Sequence, residues 1–240
     1  MNYKFRTNRV ILQGDTHSSE ATYAFLRDDV PSGSDYVHLG DVGLGFGDML
    51  YSVSNASACL QRYSKLCVQK DIVCYLIRGN HDNPDVWKLD NYPNVILVQD
   101  GDIATFPNGK RVLFLGGGIS VDRCVRRIDF SYWTNEYTTP LKTVENADIV
   151  FSHDAPEQFN HSTDTLWVHF DWAIKKDPEL LDDCYKQRKL IGDLVAMSGA
   201  TVIYNGHFHN SLREEKDCVY CRCLNIDELF EFDADGTHSL

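Results

Sequence analysis

Five short stretches of this chain carry metal-capable side chains at close spacing. They are Asp15-Thr16-His17, Gly40-Asp41, Gly79-Asn80-His81-Asp82, Ser152-His153-Asp154 and Gly206-His207-Phe208-His209. Residues two apart in an extended chain point to the same side, so Asp15 with His17, and His207 with His209, are expected to grip a cation as pairs. Five of the nine histidines lie in these stretches, a placement that a purely structural role does not call for. Nitrogen and oxygen donors without thiolates suit Mn, Fe, Zn, Co or Ni better than Mg or Ca. The donors exceed what one tetrahedral site needs and suit two cations sharing a carboxylate. Two metals about 3.5–4 Å apart are a known device for in-line displacement at phosphorus.

The elements that must position these residues are legible as apolar runs ending in Gly or Asp. Arg9–Asp15, Asp35–Asp41 and Asp71–Asn80 read as parallel strands with polar residues at their carboxyl ends, the third preceded by a helix over Ser54–Gln69. Asn94–Val98, Asp102–Phe106 and Arg111–Gly117 are shorter strand candidates, with a Pro-Asn-Gly turn between the last two. Asp148–Asp154 and Thr201–His207 repeat the pattern of a strand ending in polar residues. Ligands in open α/β sheets gather at such ends. The tail segments CVYCRCLNI and LFEFDA predict a closing antiparallel pair. Residues 156–198 form a helical flank or cap: Trp167, Phe170, Asp171 and Ile174 share helical spacing, and a long helix follows Pro178. An ordinary amphipathic helix covering a sheet is the preferred reading of this flank.

With 240 residues and 43% hydrophobic content, the chain suffices for one sizeable core, and a single α/β domain over 1–240 is expected. The net charge of −12 disfavours long nucleic acid and anionic membranes as partners, but bound cations can still invert the local field for a small anionic substrate. The apolar run near the start, Val10 to Leu12, is too short for a signal-peptide core, and no stretch approaches a transmembrane span. The eight cysteines are therefore read as reduced thiols in a cytoplasmic protein.

In order, Asp15-x-His17, Gly40-Asp41, Gly79-Asn80-His81-Asp82, His153 and Gly206-His207-x-His209 resemble the motif series of the calcineurin-like metallophosphoesterase superfamily. The resemblance implies an αββα sandwich of two packed mixed β-sheets flanked by helices. It implies a binuclear centre that cleaves a phosphate ester with a metal-bridging hydroxide, Mn being the first choice of divalent ion. Position by position, Asp15, His17 and His209 would hold one metal, Asn80, His153 and His207 the other, and Asp41 would bridge them. His81 would be the catalytic histidine that acts on the leaving oxygen. Leu76-Ile77-Arg78-Gly79-Asn80 resembles the protein-phosphatase segment in which an arginine binds phosphate. Gly116-Gly117-Gly118-Ile119-Ser120-Val121-Asp122-Arg123, followed by Tyr132-Trp133 and Glu136, is similar to small bacterial and phage members. Arg78 and Arg123 are thus the expected substrate contacts.

The chain also departs from its relatives. Gly40-Asp41-Val42-Gly43-Leu44-Gly45 lacks the Asp and Arg of the serine/threonine phosphatases, which leaves His81 without its usual carboxylate partner, Asp48 being a possible substitute. Leu44 stands where purple acid phosphatases place a metal-binding tyrosine. The glycines at 116–118 are read as close backbone packing, since no Lys-Ser/Thr follows to make a P-loop. Cys218-x-x-Cys221-x-Cys223 is read as ordinary strand cysteines, and His38, His161, His169 and His238 as bystanders. The expected substrate is a small phosphorylated or nucleotide-like phosphomonoester or phosphodiester. A nuclease acting on nucleic acid ends is the alternative, with Arg123, Arg126 and Arg127 as its short basic cluster; a non-catalytic scaffold ranks below both.

Overall fold

The computed structural model describes residues 1–47, 53–159 and 171–236. Asp48, His161, Trp167, His169, Phe170 and His238, with part of the helical flank, lie outside the described residues.

Two mixed sheets pack face to face. The first carries β2 (Arg9–Gln13), β3 (Asp35–His38), β4 (Val73–Leu76) and β5 (Val95–Leu97) as parallel neighbours, closed by antiparallel β12 (Leu229–Asp233) beside β2. The second has seven strands. In spatial order they are β1 (Asn2–Lys4), β6 (Ile103–Thr105), β7 (Arg111–Leu115), β8 (Ile149–Ser152), β9 (Val202–Asn205), β11 (Val219–Cys223) and β10 (Leu212–Lys216). Strands β7, β8 and β9 run parallel, in register from Val112 opposite Ile149 to Ile149 opposite Val202.

The central strands are apolar at nearly every position because both their faces are covered. On β7, Val112 and Phe114 face the other sheet, while Leu113 and Leu115 face a helix. On β2 the same period of two sends Val10 and Leu12 to the inter-sheet core and Ile11 outward. Phe114, Phe151, Tyr204 and Phe232 form a chain of ring contacts between the sheets at centroid separations of 5.2 to 6.2 Å. Each such buried ring contributes about 1.5–3 kcal/mol through burial.

Helices α1 (Ser19–Asp28) and α2 (Val53–Lys70) cover the outer face of the five-stranded sheet. Helix α3 (Leu180–Ser198) covers the seven-stranded sheet with Ile191, Leu194 and Val195, and ends at Gly199 in the left-handed conformation. The layers are therefore helix, sheet, sheet, helix.

One expected pairing is not observed. β11 and β12 lie in different sheets: β11 pairs with β9 and β10, and β12 with β2. The linker between them crosses from one sheet to the other, where the Asp227 amide donates to the Asp15 carbonyl at 2.8 Å and the Gly14 amide to the Glu228 carbonyl at 3.0 Å. This crossing brings the end of β2 beside the end of β9. The Pro-Asn-Gly turn does close a hairpin, β6 to β7, with Gly109 at φ 89°.

Candidate active site

The carboxyl ends of β2, β3 and β4 in one sheet meet those of β8 and β9 in the other. Backbone and side-chain bonds fasten the seam. The His153 ring lies with Nδ1 2.9 Å from the Leu39 carbonyl, and the Gly206 amide donates to the His153 carbonyl at 3.0 Å. All seven expected ligand positions converge at this seam. They form two groups on either side of Asp41.

In the first group, His209 Nε2 stands 3.1 Å from Asp15 Oδ2, and His17 Nε2 stands 3.6 Å from Asp15 Oδ2 and 3.7 Å from Asp41 Oδ2. One ligand atom from each of Asp15, His17, Asp41 and His209 lies within 4.8 Å of every other. In the second group, His153 Nε2 is 3.0 Å from Asn80 Oδ1 and 3.3 Å from Asp41 Oδ1, and the His207 ring packs edge-on against His153 at 4.9 Å. Gly118 sits over this second group. A Cβ there would lie 3.2–3.3 Å from His153, Asn80 and His207 together, so a larger residue would press on all three donors. Gly79 is constrained in the same way, since a Cβ would collide with the Asp41 carboxylate.

The paired geometry arises differently from the extended spacing expected. His17, Asp41, His207 and His209 all adopt left-handed backbone, with φ of 50°, 57°, 69° and 51°. Such values are uncommon for residues with side chains and persist only where the surroundings enforce them. Here the enforcement is visible. The Thr16 and His17 amides both donate to the Asp41 carbonyl, at 3.2 and 2.8 Å. The buried Asp82 carboxylate accepts from the amides of Gly43, Leu44 and Gly79 at 2.8–2.9 Å, which ties the loop after β3 to the loop after β4. Burial pushes the Asp82 carboxyl up to about 6, with the Asp41 charge adding to the effect.

The electrostatics call for positive charge. Burial alone would raise Asp41, but His153 and His81 pull it down to about 2. Burial opposes charging of His17, yet the hydrogen bond to Asp15 and the Asp41 charge draw it up to about 9. Asp15 Oδ2 is fully buried, with the His209 and His17 Nε2 atoms as its neighbours at 3.1 and 3.6 Å. Two buried carboxylates, imidazoles and an amide oxygen, with no thiolate, are a donor set that fits divalent transition cations.

Asn80 is held by residues that sequence spacing does not single out. Its Nδ2 donates to Ser120 Oγ at 3.1 Å. Ser120 donates its hydroxyl and its amide to the buried Glu136 carboxylate, each at 2.6 Å. The serine's one proton is thereby committed, so it can only accept from Asn80, and Asn80 Oδ1 is left facing His153. The only advance sign in the sequence is Glu136 downstream of the Gly116–Arg123 stretch.

His81 stands outside both ligand groups. Its ring stacks on Phe46 at 4.6 Å and meets His17 edge-on at 4.3 Å, while its amide donates to Asp41 Oδ1 at 2.7 Å. Burial holds the ring down to about 4, and the Arg126 charge adds to that. Arg126 is the arginine at this spot: its guanidinium donates to His81 Nε2 at 2.6 Å and to Ser120 Oγ at 2.8 Å. The two arginines expected there are turned elsewhere. Arg78 donates to the carbonyls of Asn135, Glu136 and Tyr137 at 2.7 to 3.4 Å and pins that loop. Arg123 is paired with Asp177 and Asp183 at 2.5 and 2.8 Å. Neither lines the cavity that Arg126, His81, Asp41 and Asn80 share. His38 is a fully buried histidine with Nε2 3.2 Å from Thr16 Oγ1, and Cys221 and Cys223 are buried on β11.

The sequence matches the family model for calcineurin-like phosphoesterases over residues 8–211. The chain belongs to that family. As a calcineurin-like phosphoesterase it is a metal-dependent hydrolase of phosphoric esters, and the Asp15, His17, Asp41 and His209 cluster is a candidate site for its divalent metal. One solved crystal structure is similar at 11% identity with a TM-score of 0.51, covering 94% of this chain and 98% of that one. The crystal structure of TT1561 of Thermus thermophilus matches at 10% identity with a TM-score of 0.44, covering 94% and 99%. The first of these likenesses supports the fold. No curated protein matches the chain. Among the described residues no helix is long and apolar enough to cross a membrane.

Proposed function

We propose that this calcineurin-like phosphoesterase hydrolyses a small phosphomonoester or phosphodiester with two divalent cations, Mn²⁺ first among them. The observation that carries the reading is the division of Asp41: Oδ2 faces His17 while Oδ1 faces His153. One carboxylate thus serves both ligand groups. Asp15, His17 and His209 would hold one cation, and Asn80, His153 and His207 the other. When bound, the cations supply Lewis acidity that makes a water nucleophilic near neutral pH.

The chain's own groups do the rest. Arg126 and His81 converge within 2.6 Å, so a phosphoryl oxygen at that junction is in reach of both. Arg126 binds the oxygen and offsets its developing charge. His81 handles the proton at the leaving oxygen. A nuclease needs cationic contacts along a backbone. Arg123 is instead ion-paired to Asp177 and Asp183 and does not line the cavity, which favours a small substrate.

The reading is tested with p-nitrophenyl phosphate and bis-p-nitrophenyl phosphate side by side, in Mn²⁺ and after chelation. Turnover that chelation abolishes and Mn²⁺ restores is expected, and the preferred ester separates monoesterase from diesterase. Turnover indifferent to chelation would contradict it. Arg126→Ala is expected to lower kcat/KM about 10²–10³-fold and to weaken inhibition by inorganic phosphate. An unchanged phosphate inhibition constant would remove Arg126 from the substrate contacts. Ser120→Ala frees the Asn80 amide to rotate, and should weaken binding of the cation at Asn80, His153 and His207 about 10–100-fold in equilibrium dialysis. Unaltered binding of both cations would show that Ser120 does not orient Asn80.

A further inference from the structure

The cavity above the ligand groups extends well beyond what a phosphoryl group needs. It encloses about 280 Å³, just below the range of about 300–1,000 Å³ usual for ligand pockets. Asp41, Asn80, His81 and His207 are among its lining residues. Its apolar lining is Ile119, Val121, Phe208 and, from the first turns of α3, Leu181 and Tyr185. Leu181 and Tyr185 are 45% and 56% exposed and lie four residues apart, on one face of the helix. Single exposed apolar residues are ordinary. A pair on one helical face, rimming the cavity that holds the candidate metal ligands, is a surface that a bound group would take out of water.

The wall also carries charge of both signs. The Asp154 carboxylate is buried in the lining, and Glu157 adds a second carboxylate. The Arg188 guanidinium lines the same cavity: its Nε and Nη2 donate to the carbonyls of Ala155, Pro156 and Phe159, and it reaches over the Phe208 ring at 5.2 Å. With Arg126 also in the lining, two cations stand with the two carboxylates, so the selective feature of this wall is its apolar face rather than its charge. A flat ring would lie against Tyr185, Leu181 and Phe208.

Resting on the hydrolase reading above, we infer that the substrate is a phosphate ester of a ring-bearing alcohol, and that Leu181 and Tyr185 of α3 determine this specificity by packing on the ring. On hydrolysis the bond from phosphorus to the alcohol oxygen breaks, and water supplies the new oxygen on phosphorus and the proton on the departing alcohol.

The test compares benzyl with ethyl phosphate, whose leaving alcohols are similarly basic, in the wild-type chain and in Leu181→Ala/Tyr185→Ala. Binding of benzylphosphonate and ethylphosphonate, which are not hydrolysed, is measured in parallel by calorimetry. The wild type should favour the benzyl member about 10–200-fold in both kcat/KM and affinity, and the double variant should lose most of that preference. Tyr185→Phe should keep it, since the ring remains. Phe208 is not substituted because it lies between His207 and His209. Equal binding of the two phosphonates, or a preference that survives in the double variant, overturns the inference whether or not either ester is cleaved. A benzylphosphonate preference that the double variant loses supports it even if no ester is cleaved, and the failure then falls on the hydrolase reading alone.

Discussion

Asp41→Asn is expected to weaken both cation sites together and to lower kcat by about 10³-fold or more. The side chain is 1% exposed, and its two oxygens have different surroundings: Oδ2 is 3.7 Å from His17, while Oδ1 is 3.3 Å from His153 and accepts the His81 amide at 2.7 Å. An asparagine keeps one oxygen and replaces the other with a donor. If the amide nitrogen takes the Oδ1 place, it faces the His81 N–H, donor against donor. If it takes the Oδ2 place, the His17 group loses its shared anion. Either orientation also removes a buried negative charge that the surrounding imidazoles accompany. Metal analysis of the purified variant decides the matter. A chain that still holds two tight cations would show that Asp41 does not join the groups.

His81→Ala should separate catalysis from metal binding. The ring lies outside both ligand groups and meets Arg126 through Nε2. Its loss is expected to lower kcat by about 10²–10⁴-fold while metal content stays as in the wild type. The defect should be larger for alkyl esters than for p-nitrophenyl esters, because a poor leaving group depends more on proton transfer. Loss of metal in this variant would place His81 among the ligands. A defect of equal size for both classes of ester would leave it a role in binding the phosphoryl group instead.

Much of this site can be read from the chain because β-strands deliver their last residues to a predictable place. Asp15, Asp41, Asn80, His153 and His207 each follow an apolar run, and those runs are β2, β3, β4, β8 and β9. What local patterns cannot carry is contact between distant segments. Three arginines stand near the motifs, and the choice among them depends on partners far along the chain. Arg78 is captured by carbonyls at 135–137, and Arg123 by Asp177 and Asp183, which leaves Arg126 at His81. The Ser120–Glu136 support for Asn80 is equally nonlocal.

The tail misleads for a related reason. Two alternating strands separated by five residues look like a hairpin to any local reading. The chain instead uses that linker to cross between sheets, held by Asp15 and Gly14 backbone. Strand β10, Leu-Arg-Glu-Glu-Lys, escapes pattern reading because its residues have low strand propensity; it is an edge strand that exists through pairing with β11. The candidate pairs at 15/17 and 207/209 stand out by an extended spacing that the backbone does not have. They converge through left-handed residues, whose conformation no spacing rule encodes.

The most direct measurement is a titration of the chelated protein with Mn²⁺ while p-nitrophenyl phosphate hydrolysis and bound metal are followed together. Activity that rises with the second equivalent and levels at two ions per chain is the predicted result. Full activity at one ion per chain, with no change on adding more, would contradict a shared Asp41 and the two-cation account built on it.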